Sequence, residues 1–329
     1  MDRKSYFEIK NQLEFRPNNS RLVGQLATDT FLIALAGALL ASRTIAGFVV
    51  VQPLLACLYF RGFAFMHDAV HHCVSRNARV NDWLGVAYGG LCFLPFTTWR
   101  AMHLEHHAWA GNFERDPVMR MVRGFPKKSS FEQALDTLLW RSWIPYIAFL
   151  QEAVFWTVST KMITERKAHE GKRVELVLAV LAPVAVMATL VTAGIAAAGA
   201  WWLLAPSVVI YLVMVEVINL PHHLCLPRLP GTGKLSLWNQ YKVSRTCLYF
   251  GGFSQFVLMN FNYHAEHHMY PTLPWYELPK AHALVRARGM NDYNLCDGFA
   301  WIRQNRNRNL RDVFAPTEAL APDHEREAA

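Results

Sequence analysis

Four short histidine clusters carry the chemistry that this chain can offer. They read His67-Asp-Ala-Val-His71-His72, His103-Leu-Glu-His106-His107, Asn219-Leu-Pro-His222-His223 and His264-Ala-Glu-His267-His268. On a helix, positions i, i+3 and i+4 point within about a third of a turn of one another. Each HxxHH therefore presents three imidazoles to one side, and HxxxH presents two. Neutral imidazole is a common ligand for zinc, iron, copper and nickel. A lone pair such as His222-His223 reads as polar surface at a helix end, but three triplet-type clusters at helical spacing point to metal. Nucleophilic triads need Ser or Cys as well, and neither GxSxG nor the zinc-protease HExxH occurs. The six cysteines show no CxxC pairing, which excludes a cysteine-rich zinc module and a disulfide framework.

Counting ligands narrows the metal. Two histidines from the first cluster, three from the second and three from the last make eight, and the remaining cluster adds a ninth. A tetrahedral zinc site takes at most about four protein ligands. Eight or nine imply two ions, each with four or five imidazoles and an open position. Iron suits oxygen chemistry there, whereas zinc has no redox states to offer. Asp68, Glu105 and Glu266 lie inside the clusters and are expected to accept from the rings, fixing which nitrogen faces the metal. The alternative for each is a solvated helix charge.

The elements that must position these rings read as membrane helices. Of 329 residues, 53% are hydrophobic and only 18% charged, against about a quarter in soluble domains. Apolar stretches cover residues 22–42, 44–66, 174–199 and 201–220, each near the length of about 20 residues that a span requires. They pair as two hairpins, giving an all-α integral membrane protein with four transmembrane helices. Among the lysines and arginines only Arg43 falls in a hairpin connection. Positive residues stay on the cytoplasmic side, so both termini and the middle segment are expected there. The net charge of +8 suits an anionic leaflet or an acidic soluble partner. Residues 1–21 are polar and lack a signal-peptide pattern. Residues 83–98 are short and Gly-rich, and residues 142–160 carry Glu152, so both are expected to be interfacial or re-entrant. The first cluster then lies where the second span ends and Asn219–His223 where the fourth ends, so all four can meet just below the bilayer. The charged stretch 305–329 is expected to fray.

HDAVHH at 67, HLEHH at 103 and HAEHH at 264 stand in that order. Trp99-Arg100 precedes the second, Asp116-Pro117 follows it, and NYHAEHHMYPTLPWYELPKAH surrounds the third. On these motifs the chain resembles the membrane fatty acid desaturase/hydroxylase superfamily, the non-haem di-iron enzymes with three histidine boxes, over residues 22–288. The resemblance implies four transmembrane helices under a cytosolic helical cap, with residues 1–21 and 289–329 as cytosolic ends. It implies His67 and His71 as ligands from box one, with His72 as the alternative to His71. Box two gives His103, His106 and His107, and box three gives His264, His267 and His268. His223 matches a further ligand, with Asn219 one turn earlier acting through water and His222 as a bystander.

The activity implied is reductive O₂ activation at two Fe ions, with hydrogen removed from an unactivated C–H bond of an acyl chain in the membrane. Phe63, Phe65, Trp99 and Tyr263 are candidates to line an acyl channel, or are ordinary core residues. No HPGG motif occurs, so electrons are expected from a separate ferredoxin, rubredoxin or cytochrome b5 type donor with its reductase. The expected function is fatty acid (acyl-lipid) desaturation at the bacterial inner membrane, with the site on the cytoplasmic side and no nucleic-acid partner. A hydroxylase or ketolase of a carotenoid, sphingoid chain or alkane is the alternative. A non-enzymatic histidine-rich metal-binding membrane protein is the third reading; transport would need ionisable groups in the spans, where Asp29 and Glu216 are the candidates.

Overall fold

The computed structural model describes residues 1–164, 173–199, 204–290 and 293–321. It is mostly helical. The helices in chain order are α1 (Arg3–Lys10), α2 (Asn19–Ala41), α3 (Ile45–Val70), α4 (Ala78–Leu91), α5 (Phe96–Ala108), α6 (Met119–Gly124), α7 (Ser130–Arg141), α8 (Tyr146–Thr164), α9 (Arg173–Ala198) and α10 (Ala205–His223). Strand β1 (Thr246–Leu248) follows, then α11 (Ser254–Leu258), α12 (His264–Met269), α13 (Leu278–Arg286), β2 (Leu295–Asp297), α14 (Gly298–Arg306) and α15 (Leu310–Phe314). The two strands pair in parallel, Thr246 opposite Leu295 and Cys247 opposite Cys296.

Three helices, α2, α3 and α10, are long and apolar enough to cross a bilayer by length and composition. The expected third span coincides with α9, in which Val180–Gly194 forms a shorter apolar stretch. Residues 201–203, at the head of the expected fourth, lie outside the described residues. The hairpin tip between α2 and α3 packs on the end of α9. Arg43 donates from Nε to the Ala197 carbonyl (3.0 Å) and from Nη2 to the Ala196 carbonyl (3.2 Å). A cation thus sits on carbonyls left open at a helix C-terminus, where the dipole is negative. The histidines of α3 lie at the opposite end of that helix, and those of α10 at its C-terminus.

Two of the acids inside the bundle are paired with arginines. Asp29 of α2 accepts from Arg61 of α3 (2.7 Å), from Tyr88 of α4 (2.7 Å) and from Gln25 (2.7 Å). Glu216 of α10 takes Arg306 of α14 at 2.5 Å and the backbone amides of Ile147 and Ala148. Buried charges persist only when partnered in this way. Neither acid is left open to an ion path.

Two expected segments divide, and one expectation changes. Residues 83–98 are not one segment: α4 ends, the chain turns, and α5 begins. Phe93 takes φ +64°, Leu94 N–H donates to the Gly89 carbonyl (2.8 Å) and Phe93 N–H to that of Gly90, a Schellman stop that Pro95 reinforces. Residues 142–160 likewise divide into a turn at Trp143 (φ +60°) and most of α8. Residues 305–321 do not fray. Leu310, Val313 and Phe314 bury against Met119, Val122, Phe125 and Trp140, and Arg228 exchanges backbone hydrogen bonds with Glu318 and Leu320. The expectation for residues 322–329 lies outside the described residues. At the other terminus α1 docks on the third box: Tyr6 stacks on Tyr270 (4.8 Å, 10°) and donates to the Met269 carbonyl.

Candidate metal centre

The rings converge from four helices. His67 and His71 come from the end of α3, His103, His106 and His107 from α5, His223 from the last turn of α10, and His264, His267 and His268 from α12. They form two groups rather than one. His67, His71, His103, His107 and His267 each bring one nitrogen into a set within 4.8 Å, and His106, His223, His264 and His268 form the other. The split follows helix geometry. Positions i and i+4 lie about 40° apart around the axis, while i+3 lies about 60° to the other side of i. The i, i+4 pairs 67/71, 103/107 and 264/268 therefore each stay together. The i+3 residues His106 and His267 cross to the other group, which divides the adjacent pairs His106-His107 and His267-His268. The groups touch: His107 and His268 stack across the boundary at 4.4 Å.

The nitrogens that meet are Nε2. In the five-membered group His71 Nε2 lies 2.9 Å from His103 Nε2, His107 Nε2 3.0 Å from His103 Nε2, and His267 Nε2 3.0 Å from His107 Nε2. In the four-membered group the Nε2 contacts run His106–His223 (3.2 Å), His223–His264 (2.8 Å), His264–His268 (3.2 Å) and His268–His106 (3.2 Å).

The far side of several rings fixes their tautomer. His106 Nδ1 faces Asp116 Oδ1 (2.8 Å), His223 Nδ1 the Val243 carbonyl (3.2 Å), and His67 Nδ1 Asp68 Oδ1 (3.0 Å). His268 Nδ1 faces Gln240 Oε1 (3.0 Å), and that amide is oriented by donation from its Nε2 to the His107 carbonyl (3.0 Å). A carboxylate, carbonyl or amide oxygen only accepts, so Nδ1 holds the proton and Nε2 is a bare lone pair. Three lone pairs of the second group thus face a common centre, His106 standing 3.2 Å from both His223 and His268 with no proton to share. Such a set suits a cation. The Nε2 of His67 is likewise buried without a hydrogen-bond partner. Burial pushes His103, His107, His264, His267 and His268 well below the usual imidazole range, with neighbouring rings adding to the effect. His71 is pushed down to about 3 by burial and then by the Arg100 cation. All favour the neutral, ligating form.

Several expected residues stand elsewhere. His72 is turned away because α3 has already ended. It takes φ +55°, Cys73 N–H returns to the Asp68 carbonyl, and the ring meets Asp82 (3.2 Å) and Arg100 (3.1 Å). Glu105 is exposed, since it lies two residues past His103 and so on the far face of α5. Glu266 is buried but touches no ring of either group; it binds His282 Nδ1 (2.6 Å) together with Thr246 and Tyr293. Of the three carboxylates proposed as ring acceptors, only Asp68 serves. Asn219 is half-buried one turn before His223 and hydrogen-bonds to none of these rings. His222 is not a surface residue: it is 1% exposed and stacks on His264.

The sequence reading missed Asp116 as an acceptor, although its motif was noted, and missed Gln240 and the Val243 carbonyl, which carry no signal at short spacing. It also missed what holds α10. Pro221 cannot donate to the Val217 carbonyl four residues earlier, and the Tyr249 hydroxyl takes that place (2.7 Å). Arg245 donates to the carbonyls of Pro221 (2.6 Å), Leu224 and Cys225, closing the helix end that carries His223.

A family model described as fatty acid desaturase matches residues 43–295, which include both histidine groups. The chain belongs to the fatty acid desaturase family. It is 26% identical over 250 residues to the sn-1 oleoyl-lipid 12-desaturase of Arthrospira platensis, covering 73% of this chain and 68% of that one. It is 28% identical over 239 residues to the zeaxanthin 4-ketolase of Chlamydomonas reinhardtii (72% of this chain, 44% of that one). It is 28% identical over 151 residues to the sn-1 acyl-lipid omega-3 desaturase (ferredoxin) of Synechocystis sp., covering 43% and 40%. The chain thus spans less than half the length of two of these three relatives.

Proposed function

We propose that this family member is an oxygen-dependent acyl-lipid desaturase that binds two irons, one in each histidine group. The observation that carries this reading is the convergence of nine imidazoles, four of which have their far nitrogen held protonated by Asp68, Asp116, Gln240 and the Val243 carbonyl. Bound there, iron supplies redox chemistry with O₂: a CH₂–CH₂ unit loses two hydrogens, O₂ becomes two waters, and two electrons and two protons come from outside. The chain's own residues orient the ligands and exclude water. Trp99 stacks on His103 (4.4 Å, 16°), and Phe261 sits edge-on to both His67 (4.9 Å) and Phe63 (5.2 Å). These buried rings wall the first group on the side of α3.

The reading extends to four spans, with α9 as the third, and to a site and termini on the cytoplasmic side of a bacterial inner membrane. Charge asymmetry and the common end of the α2–α3 tip and α9 support it. The electron donor is a separate acidic protein of ferredoxin, rubredoxin or cytochrome b5 type. One relative carries ferredoxin in its name. A second reading, hydroxylation or ketolation of another lipophilic substrate, is favoured by the match to a ketolase at 28% identity, within the range of the desaturases. Lipid profiling of cells expressing the chain under ¹⁸O₂, against His103→Ala, separates them. New double bonds lost in the variant support desaturation, whereas ¹⁸O in a lipid product supports the second reading. A product unchanged by His103→Ala would remove box two from the site.

A further inference from the structure

Three of the four rings in the second group are oriented by a hydrogen bond at Nδ1: His106 to Asp116, His223 to the Val243 carbonyl, His268 to Gln240. His264 is the exception, for its Nδ1 is buried and makes no hydrogen bond. What lies against it instead is His222, face to face at 4.3 Å with planes 10° apart. The other rings near His264 are more inclined: His267 at 31°, His67 at 41°, Phe261 at 53°, His268 at 73° and His223 at 80°. His222 is itself 1% exposed, and both of its nitrogens are without hydrogen-bond partners. A buried polar ring that forgoes both hydrogen bonds has a cost, and what it offers its surroundings is its face. Its position is secured by the α10 terminus, where Arg245 donates to the Pro221 carbonyl.

We infer that His222 is a positioning residue that holds the His264 ring by aromatic stacking, taking the role that hydrogen bonds play for the other three rings of that group. The inference rests on the two-metal reading above. On the stacking account the nitrogens of His222 are dispensable and the flat ring is not.

The test compares His222→Phe, which keeps an aromatic face, with His222→Leu, which fills volume without one, in full-length protein purified in detergent. The readouts are iron per chain by elemental analysis and the Mössbauer signature of the two irons. His222→Phe is expected to retain the parent's iron content and spectrum. His222→Leu is expected to hold metal at the His264 group about 10- to 100-fold more weakly, the range for losing a group that orients a ligand, so that one iron signal fades while the other remains. His222→Leu with a parental spectrum overturns the inference. So does equal loss in His222→Phe and His222→Leu, which would make a His222 nitrogen the active part. Thermal unfolding of the metal-free proteins separates this from misfolding, and a Phe variant that unfolds with the Leu variant also counts against stacking. A parent without iron would sink the two-metal reading itself, a result distinguishable from either.

Discussion

At the scale of single residues, the atoms beyond the ligating nitrogens decide the tautomers. Asp116→Ala takes the acceptor from His106, together with that of the Gly111 and Val118 amides. It should weaken metal retention about 10- to 100-fold, read as iron content after dialysis against chelator. Glu105→Gln, at an exposed position, should leave iron content at the parental level. The buried rings also predict a pH dependence for the metal-free protein. Their folded-state pKa values are depressed, so the unfolded chain takes up protons first as pH falls. The stability they confer is present above the ordinary imidazole value of 6.5 and is lost as pH drops toward about 3, the value for His71. Thermal unfolding of iron-free protein should show Tm falling steadily below about pH 6.5. A flat profile between pH 7 and 4 would mean that the rings are solvated.

At the scale of elements, helix ends do most of the placing. A Schellman turn with His72 at the left-handed position sends that ring to Asp82 and leaves His71 facing inward. Spacing alone allows His67, His71 and His72 equally, because it does not say where the helix stops. On α10 the proline that frees the Val217 carbonyl is matched by a tyrosine 28 residues beyond Pro221. Tyr249→Phe should cost about 1–3 kcal/mol for an unpaired buried carbonyl, measured as a lower unfolding midpoint. Between α2 and α3 the Asp29–Arg61 pair is buried with Tyr88 and Gln25 around it. Asp29→Ala leaves Arg61 charged without its partner and should cost about 3–5 kcal/mol. If the unfolding midpoint of Asp29→Ala matched the parent, the pair would not be buried as described.

At the scale of the whole molecule, the termini belong to the site's support. α1 packs on the helix of the third box, and α14 sends Arg306 to Glu216 of α10. Cutting the chain after Asp297 removes Arg306 and the apolar residues Trp301, Ile302, Leu310, Val313 and Phe314. The product should fail to accumulate as a monodisperse species in size-exclusion chromatography. A truncated protein with parental elution and iron content would show that this cap is dispensable.

The histidine clusters and the apolar stretches were legible in the sequence because each is a local pattern: imidazoles at helical spacing, and apolar runs of helical length. Those patterns fix which side chains lie near one another on one element. They do not fix how adjacent histidines divide between two centres, since that depends on how α5 and α12 are rotated against α3 and α10. Nor do they reveal Asp116, Gln240, Val243 or the stack of His222 on His264, which join positions 10 to 42 residues apart. Tautomer and ring orientation are set by contacts that exist only once the chain has folded, so the kinds of atom come from the sequence and their partition from the tertiary structure.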